Sequence, residues 1–223
     1  MVVVKGVHPR SITTTTTIRL AQLFAFASES CLVIDLGPRG DASRRMGSPP
    51  TESGLLPEIL RGKEPGGRLG LLERSVAPGL DLIPYDLAVE DLAAKDIVSE
   101  AWSQALREFC AQYQWILIDC PPANPKLLEG CLGAADELLL TATKDQVDFA
   151  KEWVEPTRPR TTRFLQGLVK NDRASLDPAI WQIPDDGSYA RPDNADWDDL
   201  EDTLEARATR AYVALTKELR SGG

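Results

Sequence analysis

Histidine is nearly absent: His8 is the single one in 223 residues. The four cysteines (Cys31, Cys110, Cys120, Cys131) are scattered, with no C-x-x-C pair. Together these absences exclude a zinc site of the usual spacing and a disulfide framework. Each cysteine adjoins apolar residues, as in Cys31-Leu32-Val33-Ile34, so all four are expected to be buried thiols that pack as small hydrophobes. No apolar run approaches the roughly 20 residues that cross a bilayer, so no membrane span is expected. The Met1–Gly6 start lacks the charge, apolar middle and cleavage site of a signal peptide, and a cytoplasmic location is the expectation. Positive charge is also short, with 25 Lys and Arg against 34 Asp and Glu, a net charge of −9. Proteins that grip DNA by its phosphates usually show a basic face, because counterion release supplies most of the affinity. Weak or absent DNA binding follows.

What is present is an ordinary globular composition, 43% hydrophobic and 26% charged, long enough for one domain over residues 1–223 with a full core. Short runs rich in Val, Ile and Leu alternate with segments of helical period. That pattern predicts an α/β fold: a mostly parallel, twisted sheet of about seven strands covered by helices on both faces. The strand candidates are 2–4, 31–35, 80–84, 115–119, 137–141, 164–169 and 180–183. They read as continuous apolar runs, as strands buried on both faces do. Helices are expected at 15–27, 99–112, 125–133, 146–154 and 204–220, with a short helical piece at 55–60 in a Gly- and Pro-rich stretch. Residues 185–205 are strongly acidic, with Arg191 the one base, and read as a solvated surface.

In open α/β sheets, ligands bind at the carboxyl ends of the strands. Two predicted strands end in an acid, at Asp35 and Asp119. A nucleotide hydrolase places such an acid to hold magnesium or orient water. An Asp there also serves as a cap or turn former; the occurrence of two favours the functional reading.

Val33-Ile34-Asp35-Leu36-Gly37-Pro38-Arg39-Gly40-Asp41-Ala42-Ser43 resembles the V-I-D-x-D-P-Q-G-N-A-[ST] box of the ParA/Soj/MinD family of partitioning ATPases. Trp115-Ile116-Leu117-Ile118-Asp119-Cys120-Pro121-Pro122 is similar to that family's Walker B segment. Ala134–Leu140, Leu80–Pro84 and the closing 208–219 segment resemble further family segments in the same order. The resemblance implies a P-loop NTPase-like fold, with Asp35 in the catalytic position and Asp119 and a loop threonine as magnesium ligands. It also implies a deviant Walker A loop, K-G-G-x-G-K-[ST]-T, before the first helix. There, glycines let backbone N–H groups reach the phosphates and lysines supply charge.

Residues 8–15 stand in that place, and they differ. His8 and Thr13 replace both lysines; Pro9, Arg10 and Ile12 replace the glycines. A Pro and a β-branched Ile stiffen the backbone where freedom is needed. Thr14 and Thr15 remain, and Lys5 or Arg10 are the nearest cations. Ser11, Ile12, Thr13, Thr14, Thr15, Asp119 and Asn171 are therefore the candidate nucleotide contacts, and Thr14 and Asp119 the candidate magnesium ligands should a nucleotide bind. Asn171 reads equally as a turn residue. Arg158, Arg160 and Arg163 form a basic cluster that either contacts DNA or lies in a solvated turn.

The resemblance therefore implies a partitioning or positioning protein with a degenerate phosphate loop, without ATP hydrolysis and without a required cofactor. ATP and magnesium enter only if the loop still binds nucleotide. Its partners would be a second copy, an active ParA-type protein, a ParB-like protein or a cargo adaptor. Two alternatives stay open. One is an active or weakly active ATP-dependent dimerising switch that binds DNA nonspecifically. The other is a fold reused for anion or small-molecule binding.

Overall fold

The computed structural model describes residues 1–6, 12–53, 55–63, 74–92, 94–120, 125–142, 161–169, 180–184 and 207–221. Expectations at Ser11, Arg158, Arg160, Asn171, the 146–154 helix and the acidic 185–205 stretch fall outside them.

The strands are β1 (Val2–Gly6), β2 (Cys31–Asp35), β3 (Arg74–Ala77), β4 (Leu80–Ile83), β5 (Trp115–Cys120), β6 (Glu137–Ala142), β7 (Thr161–Val169) and β8 (Ile180–Pro184). The helices are α1 (Thr13–Phe26), α2 (Asp41–Arg45), α3 (Leu55–Leu60), α4 (Ser99–Phe109), α5 (Pro125–Ala134) and α6 (Arg207–Ser221). The strands form one sheet in the order β3-β4-β2-β5-β1-β6-β7-β8. All neighbours pair in parallel except β3 with β4. All the expected strands are present, and β3 is an addition. It escapes the hydrophobic pattern because it is an edge strand whose Arg74 and Ser75 are exposed.

Residues alternate between the faces of each strand, which divides the core in two. Val3, Leu32, Ile34, Ile118 and Leu140 pack under α3, α4 and α5 through Leu56, Trp102, Phe109 and Leu127. Val2, Val4, Val33, Leu117 and Leu139 pack under α1 and α6 through Ile18, Leu20, Phe24, Tyr212 and Leu215. The chain leaves β1 toward the β2 side, then crosses from β5 to β6 on the other side of β1. Such a switch point opens a crevice at the carboxyl strand ends. Among the described residues, no helix is long and apolar enough to cross a membrane.

Some expectations need correcting. Cys31, Cys120 and Cys131 are buried, but Cys110 is exposed, because it caps the end of α4 beyond that helix's buried face. Arg163 lies within β7 opposite Leu139, since that strand begins at Thr161 rather than Phe164; it is not in a turn. Helix α1 starts at Thr13, two residues before the expected Thr15, and tertiary contacts described below explain why.

Candidate functional site

The carboxyl ends of β2, β5, β1 and β6 gather Asp35, Asp119, Gly6 and Thr141 at one end of the sheet, Gly6 and Thr141 two residues beyond the row of Asp35 and Asp119. Asp35 lies opposite Asp119 in the β2–β5 register, and Gly6 opposite Thr141 in the β1–β6 register. Their strand neighbours Ile34, Ile118 and Leu140 belong to the opposite core, so alternation turns Asp35, Asp119 and Thr141 toward α1.

The first turns of α1 settle on these strand ends through consecutive threonines. Thr13 Oγ1 shares a hydrogen bond with Thr141 Oγ1 at 2.9 Å. Thr14 Oγ1 donates to Asp119 Oδ2 at 2.8 Å. Thr15 Oγ1 accepts from Arg45 Nη1 at 3.0 Å. Thr16 Oγ1 shares a hydrogen bond with the Tyr212 hydroxyl of α6 at 3.0 Å, and Thr17 Oγ1 donates to the Thr13 carbonyl at 3.0 Å. Threonine is a mediocre helix former because χ1 is restricted. Here the partners from β6, β5, α2 and α6 outweigh that preference and extend the helix to Thr13. Ile12 stands at the N-cap and makes no side-chain capping bond.

Asp35 is buried and its acceptor capacity is largely used. Oδ1 accepts from the Gly37 N–H at 2.9 Å. Oδ2 accepts from the Ser43 N–H at 2.7 Å and the Ser43 hydroxyl at 2.6 Å. Ser43 Oγ in turn accepts from the Tyr85 N–H at 2.9 Å. Gly40, which opens α2, has φ +59 and its missing Cβ would collide with Pro50; a side chain there would displace the turn that presents Ser43. Burial raises the Asp35 pKa, the Ser43 and Gly37 hydrogen bonds oppose the rise, and the Asp41 charge adds to it. In this chain, Asp35 ties the α2 turn to the sheet.

Asp119 is different. It is 1% exposed, and Oδ1 has no hydrogen-bond partner. Burial and then the charge of Asp35 push its pKa to about 8, with the Thr14 bond and the charge of Arg45 pulling the other way. A buried carboxylate oxygen without a partner, beside a threonine hydroxyl, is the donor chemistry a hard divalent cation takes. Thr14 and Asp119 would hold magnesium, with phosphate oxygens and water completing its shell. When bound, that ion would neutralise charge on a nucleotide's phosphates. Among the described residues, no group of three or more His, Cys, Asp or Glu could hold a metal without such help.

The phosphate side fits less well. Thr13, which the family resemblance aligns with the phosphate-reaching lysine, is 4% exposed and hydrogen-bonded to Thr141. Lys5 is not a loop residue. It lies within β1 opposite Cys120 and Leu140, on the face away from α1, and its Nζ donates to the Gly6 carbonyl at 2.9 Å. Burial lowers its pKa, and it supplies no charge on the α1 side. Sequence reasoning missed Arg45, Thr141 and Tyr85, whose parts depend on contacts across the fold; Ser43 lay in the quoted box, where a side-chain donor so close to an acid was a usable signal.

Comparison with known proteins agrees with this architecture. The family model described as AAA domain matches residues 11–164. The chromosome partitioning protein ParA of Myxococcus xanthus is 33% identical over 132 residues, which cover 57% of this chain and 46% of that protein. The chain thus spans about half the length of the curated relatives it matches first. Among solved structures, an ATP complex of a Cyanothece McdA variant superposes with a TM-score of 0.75 at 18% identity, covering 98% of this chain and 96% of that one. A putative plasmid partition protein from Borrelia burgdorferi bound to AMPPNP gives 0.74 at 16% identity, covering 100% and 98%. At such identities the structures speak for the fold alone. The chain belongs to the AAA-domain family, as a member of the ParA/MinD-type partitioning ATPases.

Proposed function

We propose that this chain is a ParA-like partitioning or positioning protein, a single domain acting in the cytoplasm through protein contacts and without ATP hydrolysis. Its task would be segregation of a plasmid or chromosome, or placement of another cargo. The observation that carries the reading is Thr13: the residue in the lysine position is a short neutral side chain, buried and hydrogen-bonded to Thr141. Phosphoryl transfer depends on charge placed against the phosphates, and no side chain at Thr13 reaches out to supply it. The bonds that occupy Asp35 support the same conclusion. Its partners would be a second copy, an active ParA-type protein, or a ParB-like or cargo adaptor.

Calorimetric titration with Mg-ATP, a turnover assay and sedimentation test this together. The expected result is no turnover and no change of oligomeric state. A thermal shift with ATP but not with adenosine would refute the reading.

A second reading has one observation in its favour, the Thr14–Asp119 pair with its unpartnered oxygen. It is an ATP-dependent dimerising switch of low activity that binds DNA nonspecifically. It expects turnover abolished by Asp35→Ala and Asp119→Ala, and salt-sensitive DNA binding that weakens when Arg158, Arg160 and Arg163 are neutralised.

A further inference from the structure

Charge is unevenly shared along this acidic chain. Residues 1–28 contain no Asp or Glu, and residues 37–50 hold Arg39, Arg44 and Arg45 against Asp41 alone. The fold brings parts of both stretches together. Arg45 closes α2 and donates from Nη1 to Thr15 Oγ1 of α1 at 3.0 Å, and Arg19 follows Thr15 by about one helical turn. Arg44 Nε donates to the Arg39 carbonyl at 3.2 Å, which sets its guanidinium against the backbone that carries Arg39. Arg39 and Arg44 are exposed. Arg39 meets Asp41 at 2.7 Å in a pair whose side chains are 79% and 42% exposed, a kind worth little in water. Among the described residues, no carboxylate lies within ion-pair distance of Arg19 or Arg44. Beneath them, the bonds from Ser43 to Asp35 and Tyr85 pin the α2 turn. The α2 arginines thus project from a backbone that is fixed before any partner arrives.

We propose that this corner of α1 and α2, with Arg19, Arg39 and Arg44 braced by Arg45, is a docking surface for an acidic segment of a partner protein. The proposal rests on the reading that the chain acts through protein contacts, and it names the chemistry of one of them. The planar fork of arginine takes carboxylates in paired hydrogen bonds, and a backbone already in place spares the cost of ordering it. The weak Arg39–Asp41 pair opens to an incoming carboxylate. DNA fits less well. A duplex gains affinity in proportion to the phosphates neutralised, and beyond these few arginines it meets the remainder of a chain of net charge −9. A short acidic segment touches the arginines alone.

Fluorescence anisotropy of a short labelled peptide that alternates Glu with Gly, titrated with the full chain, tests this. The peptide is expected to bind, more weakly as salt rises, and its Gln counterpart is expected not to bind. Arg39→Gln and Arg44→Gln should each weaken binding about tenfold, the loss of one charge-assisted contact, while melting with wild type. Lys217→Gln removes the same charge from the exposed side of α6 and should leave the affinity unchanged. The proposal is overturned if the acidic peptide does not bind, if the Gln peptide binds as well, or if both arginine variants bind like wild type. It is also overturned if Lys217→Gln weakens binding as much as they do, or if a short DNA duplex binds through the same arginines more tightly than the peptide. Should one arginine variant not fold, the other decides. ATP turnover by wild type would count against the proposed function and leave this titration intact.

Discussion

Replacing Asp119 with Asn should change how stability depends on pH. The side chain is buried and its pKa stands at about 8 instead of the ordinary 3.8. In the unfolded chain the group loses its proton near its ordinary pKa of 3.8; in the native state it keeps the proton until about pH 8. Between these values the native state binds more protons, so stability falls as pH rises. The stabilisation from this group is therefore complete below about pH 4 and lost as pH climbs through about 8. A gap of about four units at about 1.4 kcal/mol each sets a ceiling of about 6 kcal/mol. Relaxation and water entry reduce such penalties to a few kcal/mol, and about 2–3 kcal/mol is the expected swing. Asn cannot titrate and still accepts from Thr14, so Asp119→Asn should gain on wild type by that amount between about pH 5 and about pH 8. Urea unfolding in EDTA at several pH values measures it. A difference between the two proteins that stays constant across that range would refute the reasoning.

Other changes test the frame around the site. Tyr212→Phe removes the partner of Thr16 and should cost about 1 kcal/mol, read as a lower melting temperature. Gly130→Ala would put a Cβ 2.8 Å from the Ser99 carbonyl oxygen and 2.9 Å from Trp102 Cδ1; forcing α5 from α4 should cost about 1–3 kcal/mol in a denaturant titration. Thr13→Lys, which supplies the lysine the family resemblance implies there, should destabilise the chain by about 1–3 kcal/mol and yield no ATP turnover; measurable turnover would show that the position faces a phosphate.

The fold was legible because its strands are buried on both faces. Runs such as Cys31–Asp35 and Trp115–Cys120 are apolar almost throughout, and they are fully or nearly fully buried. The half-exposed edge strand β3 carries no such signal, and neither does the five-residue α2. At the site, Asp35 and Asp119 were visible as acids ending apolar runs. Their difference was not. Which acid is saturated depends on Ser43 and Gly37 curling back over β2, and which is left half-satisfied depends on the register that sets Asp119 beneath Thr14. Arg45 gave no signal, because its only distinction is the distance from α2 to α1 in space.

The threonine run shows how the start of α1 is tied to the rest of the fold. Residues 13–17 read as a low-information stretch, since one residue type repeats. In the fold each hydroxyl has its own partner, on β6, β5, α2, α6 or the helix backbone. Bonds to Thr141 and Asp119 draw the first turn down onto the strand ends, and the Tyr212 bond fixes it from the other side. A lysine at position 13 would need that turn raised to let its amine reach outward. Raising it would break the neighbouring Thr14 bond and leave both Asp119 oxygens buried without partners, at a cost of about 1–3 kcal/mol for each unsatisfied group. A lysine at position 13 would thus disturb the same contacts that seat α1 on the sheet.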